Sequence, residues 1–124
     1  MKRYDLYFLL LATLLLLAGV GLGIFMGASE DFQLAPVHAH INLVGWASLG
    51  LFGLAYRAYP ELSASRLAPF HLLLAAGGAI LLPAGIYMAV IHHAGGLAIG
   101  ASFLWLGAVI LFLVQLLSLF RRPA

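Results

Sequence analysis

Four apolar runs, roughly residues 6–26, 37–59, 67–91 and 97–120, leave most of this chain only one suitable solvent. Each is near or above the ~20 residues that an α-helix needs to cross a bilayer core, where backbone groups must be satisfied within their own segment. The sequence therefore predicts an all-α membrane protein, a four-transmembrane-helix bundle forming one domain over residues 1–124. With 65% hydrophobic and 8% charged residues, a chain of 124 residues cannot make a water-soluble globule. The connections are about ten residues or fewer, so function belongs inside the bundle or at its rim. The first run follows Lys2 and Arg3 but exceeds the ~7 to 15 residues of a signal-peptide core, and it reads as a retained span.

Lys2, Arg3, Arg57, Arg66, Arg121 and Arg122 are the six basic residues, and all fall at the N-terminus, the second connection or the C-terminus. By the positive-inside rule both termini are cytoplasmic, in an inner membrane. Glu30 and Asp31 lie in the first outer connection, so the net charge of +2 reflects topology and implies no nucleic-acid partner. Without cysteine, any metal must be held by nitrogen or oxygen. The segmentation puts every Asp and Glu in a tail or connection, which argues against a proton pump and a small multidrug carrier, because both need a carboxylate in the membrane.

The five histidines are not spread evenly. His38 and His40 open the second run, His92 and His93 close the third, and an up-down topology gathers these four at the outer face. His71 starts the third run, about 30 Å from His92 at ~1.5 Å per residue, and cannot join them. Imidazole is costly in hydrocarbon and is a good ligand for iron, copper or zinc. The structural alternative is that the pairs sit at headgroup level and bond water. Pro36 favours a helix starting beside it, and a helix N-terminus keeps His38 and His40 neutral and able to coordinate.

At ~100° per residue His38 and His40 point about 200° apart, so one helix serves two clefts. The His38 stripe continues through Asn42, Gly45, Trp46, Leu49 and Gly53; its small residues admit a flat ligand or another helix, and Asn42 can bond a ligand's edge. His92 and His93, followed by Gly95 and Gly96, can fray toward one ion. Gly19, Gly23 and Gly27 form a small-residue seam for close helix contact, Pro83 predicts a kink, and Trp46 and Trp105 read as packing residues.

An HxH pair on one membrane helix and an HH doublet ending another resemble the signature ligands of the haem-copper oxidase superfamily, including its nitric oxide reductase branch. "PVHAHINLVGWASLGLFGLAYR" is similar to the second helix of that branch, and "GIYMAVIHHAGG" to the family's HH segment. On the P-x-H correspondence His38 binds the low-spin haem. On the HxH correspondence His40 takes that role and His38 matches the residue on the high-spin haem. The doublet correspondence implies copper on His92 and His93. The family's catalytic subunit has twelve helices in three pseudo-equivalent groups of four, and this chain resembles one group. It departs from the family in lacking a recognisable electron-entry domain or a tyrosine motif beside the copper ligands.

The expectation is a membrane protein binding haem b through His38 and His40, with Asn42 as a further contact, and copper through His92 and His93. Oxidoreductase chemistry on O2 or NO follows from the resemblance, with an unknown electron donor. Axial ligation needs two imidazoles per haem, so a homo-oligomer is implied, a trimer ahead of a dimer. The alternative is a cofactor-free scaffold or accessory subunit.

Overall fold

The computed structural model describes residues 2–120, which form helices and short connections with no strand among them. Helix α1 spans Tyr4–Ser29, α2 Ala35–Ala58, α3 Pro60–Ala64, α4 Ala68–His92 and α5 Gly96–Leu119. All but α3 are long and apolar enough to cross a membrane. Arg121 and Arg122, part of the orientation reading, lie outside the described residues.

Proline marks the helix starts. Pro36, Pro60 and Pro69 sit in first turns, where the missing amide proton would have had no partner inside the helix. Pro83 lies within α4, which continues unbroken to His92. Two helices end on left-handed residues other than glycine, Glu30 after α1 and His93 after α4.

Large apolar side chains remain exposed on every long helix, Leu10, Leu17, Ile24, Leu51, Leu73 and Phe103 among them. That surface is a liability in water and a requirement in lipid. The core is small and aromatic, with Phe8, Phe52 and Tyr56 at its centre.

Neighbouring long helices run antiparallel, and glycine sets how closely they approach. Along the α1–α2 seam a methyl added at Gly23 would meet His38, at Gly19 Asn42, at Gly45 Leu15 and at Gly53 Leu9. The His38 stripe therefore faces another helix, one of its two expected uses. Of the glycine seam on α1, Gly19 and Gly23 make contacts, whereas Gly27 faces open space. Helices α4 and α5 share the most extensive contact, where Gly85 meets the Ala98 backbone and Gly78 the Trp105 backbone.

One feature of α2 lies beyond any hydropathy pattern. Ile41–Ser48 is a π-helix, and within it the Ser48 hydroxyl donates to the Leu43 carbonyl five residues back at 2.8 Å. Such insertions widen the helix and rotate whatever follows, and they recur at functional sites. This one separates His38 and His40 from the aromatic half of α2.

Candidate functional site

The antiparallel order brings the start of α2 and the end of α4 to the same end of the bundle, and with them His38, His40, His92 and His93. His38 is half-buried, with its ring laid over α1: a Cβ at Gly23 would fall 2.9 Å from its Cε1. Its Nδ1 lies 2.9 Å from the Gly19 carbonyl oxygen. A carbonyl only accepts, so Nδ1 carries a proton, and in the neutral ring the lone pair is then on Nε2. Asn42, packed on Gly19, donates from Nδ2 to the His38 carbonyl at 2.9 Å and lies 3.4 Å from His38 Nδ1. It braces the histidine.

His40 obeys the same logic with a different anchor. Its Nδ1 donates to the Pro36 carbonyl one turn back, at 2.8 Å, which again puts the lone pair of the neutral ring on Nε2. His38 is thus tied across to α1 and His40 to its own helix. Both imidazoles hold the tautomer that suits a ligand, because a coordinating histidine usually gives its other ring proton to a carbonyl or carboxylate.

His92 and His93 are exposed. The chain turns at His93 itself, at φ 55°, and the Ala94 amide closes on the Met88 carbonyl at 3.2 Å. Gly95, expected to loosen this end, instead adopts an ordinary φ of −85° ahead of α5. The Tyr87 ring stands edge-on to His92, with centroids 6.2 Å apart. Among the described residues no three His, Cys, Asp or Glu side chains converge on a metal-binding position.

A second polar cluster sits in the aromatic core at the other end. His71 is 0% exposed, stacked between Tyr56 and Phe112 with Phe8 and Phe52 beside it. The Tyr56 hydroxyl donates to Gln115 Oε1 at 3.0 Å and is 3.0 Å from His71 Nδ1. Its single proton is spent on Gln115, so His71 Nδ1–H is the donor to Tyr56. His71 Nε2 and Gln115 Nε2 are both buried without a partner. Sequence reasoning kept His71 apart from the other histidines but gave it no partners. The available signal was weak: three polar side chains, one on each of three spans, at a common depth.

Above this triad is a charged rim. Asp5, assigned by sequence to the tail before the first span, instead lies in the first turn of α1, 5% exposed. It is buried there because Arg3 accompanies it: Nε and Nη2 donate to the two carboxylate oxygens at 3.0 Å each, while Arg57 Nη1 stands 3.7 Å away. Those hydrogen bonds, and the charge behind them, push the Arg3 guanidinium pKa up. The carboxylate is already paired, so it does not serve as a free proton carrier.

No known protein family, curated protein or solved structure matches the chain. Fold and sites together define a class: an all-helical protein with four helices fit to span a membrane, four imidazoles at one end and a buried polar triad at the other.

Proposed function

We propose that this is an integral inner-membrane protein that holds haem b through Nε2 of His38 and His40. The observation that carries the reading is the pair of Nδ1 anchors, to Gly19 and to Pro36, which fix the rings and, in the neutral imidazole, put the lone pair on Nε2. Helix geometry points the two rings to different sides of α2, so each haem takes His38 from one chain and His40 from the next. Three chains in a closed ring satisfy every imidazole; a dimer built around one such cleft leaves one unused on each chain. The basic residues at the α1 start and the α2–α4 connection orient that end to the cytoplasm and the four imidazoles outward.

In this reading the protein's own residues bind, orient and insulate. Gly23 makes room for the His38 ring, Asn42 braces the turn that carries it, and the apolar spans exclude water. A haem so held would supply one-electron transfer; O2 or NO as reactants rests on the family resemblance alone and would require one imidazole to leave the iron. The His92–His93 doublet offers two donors without a third among the described residues. Copper therefore stands on the resemblance alone.

The test is the optical spectrum and pyridine haemochrome of protein purified from haem-replete cells. The wild type should show a Soret band and a b-type haemochrome. His38→Ala and His40→Ala should each abolish both, while a His92→Ala, His93→Ala double variant keeps them. Colourless wild-type protein would remove the haem reading and leave the scaffold.

A further inference from the structure

At the end of the bundle away from the four outer imidazoles, a recess of ≈ 40 Å³ opens between the start of α1 and the end of α2. Lys2, Arg3, Asp5, Tyr56, Arg57 and Ser63 line it. Three cations face one carboxylate there, and the charges are unequally engaged. Arg3 is committed to Asp5 through two hydrogen bonds, whereas Arg57 lies beyond hydrogen-bonding distance of that carboxylate and its side chain is 69% exposed. Lys2 is exposed as well and makes no salt bridge with another described residue. The Ser63 side chain adds a hydroxyl donor, while the Tyr56 hydroxyl is already spent on Gln115.

The recess therefore carries surplus positive charge and donors without an acceptor. At little more than the ~30 Å³ of one water, it admits the oxygens of a phosphate group whose remainder stays at the mouth. The residues that follow Asp5 along α1 bear on the source of that phosphate. Leu6, Tyr7 and Leu10 present an exposed apolar strip on the first turns of α1, and Leu9 turns from the same groove to pack on Gly53, one turn from Arg57. A charged pocket at the end of a bundle fit to span a membrane, with exposed apolar side chains on the next turns of the same helix, suits the two halves of a phospholipid. The excess of cations selects against a headgroup that brings its own cation.

We infer that the recess between α1 and α2 binds the phosphodiester of an acidic phospholipid, with Lys2, Arg57 and Ser63 on the headgroup and an acyl chain along Leu6, Tyr7 and Leu10. This site is independent of the haem reading, since none of its residues touches His38 or His40. It would anchor α1 against α2 at the end opposite the histidines.

The experiment is retention of lipid by the whole detergent-purified protein in native mass spectrometry, alongside its melting temperature. Phosphatidylglycerol is compared with phosphatidylcholine of the same acyl chains and with inorganic phosphate. The wild type should retain phosphatidylglycerol in preference, and the preference should fall about fivefold for each cation removed, so that a Lys2→Gln, Arg57→Gln double variant treats the two lipids nearly alike. Arg57→Lys, which keeps the charge, should retain most of the preference, and Arg66→Gln, outside the recess, should retain all of it. Equal retention of the two lipids by the wild type would overturn the inference, and so would an unchanged preference in the double variant. If inorganic phosphate alone raised the melting temperature as far as phosphatidylglycerol does, the site would be one for a free anion and the lipid assignment would be wrong.

Discussion

His38 and His40 are two residues apart and chemically alike, yet they send their ring protons to different helices, one to Gly19 of α1 and one to Pro36 of α2. Their divergence was legible in the sequence, because helical period alone separates positions i and i+2. Their anchors were not, since the carbonyl that holds His38 lies on a neighbouring helix. The Tyr56–His71–Gln115 triad was hidden for the same reason: its members are 15 and 59 residues apart in the chain and meet only through packing. That triad makes a specific prediction. Tyr56→Phe keeps the ring that stacks on His71 but removes the hydroxyl serving both His71 Nδ1 and Gln115 Oε1. Leaving buried polar groups unpaired should cost about 1 to 2 kcal/mol in a detergent melt. The haem spectrum expected under the proposed function should be unaffected, because the triad lies at the other end of the bundle. An unchanged melt would mean that the hydroxyl contributes nothing to the core.

Hydropathy identified the helices well. The four expected runs correspond to α1, α2, α4 and α5 with ends displaced by a few residues, because a bilayer's thickness imposes a length that apolar composition records. The small shift at the start of α1 matters most, since it moves Asp5 from a tail into the first turn of a span. The π segment of α2 left no trace in composition. Apolar residues satisfy either hydrogen-bond pattern, and contacts with other helices decide between them. Glycine spacing was only partly informative: Gly27 belongs to the apparent seam and touches nothing, while Gly85, in no obvious motif, lies against the Ala98 backbone at the tightest helix contact. Gly85→Ala should therefore force α4 and α5 apart at a cost of about 1 to 3 kcal/mol. Gly100→Ala, where a methyl meets nothing, should be neutral or slightly stabilising. Equal melting temperatures for the two variants would contradict the close packing at Gly85.

Taken whole, the molecule is asymmetric from end to end. One rim gathers four imidazoles and the other gathers Lys2, Arg3, Arg57 and a buried polar core. The gathering of the histidines could be read from helix count and direction alone. How chains combine is not encoded in any local pattern; under the proposed haem reading it would enter through ligand number, since a haem held by two imidazoles would take one from each of two neighbouring chains. Mixing two inactive variants tests this directly. His38→Ala retains His40 and His40→Ala retains His38, so a ring containing both kinds of chain has one cleft where an intact His38 meets an intact His40. Each variant expressed alone should be colourless, and a differentially tagged mixture purified through both tags should regain a bis-histidine b-type spectrum at about one haem per three chains. A mixture as colourless as its components, or a full haem complement in either variant alone, would contradict a haem site shared between neighbouring chains.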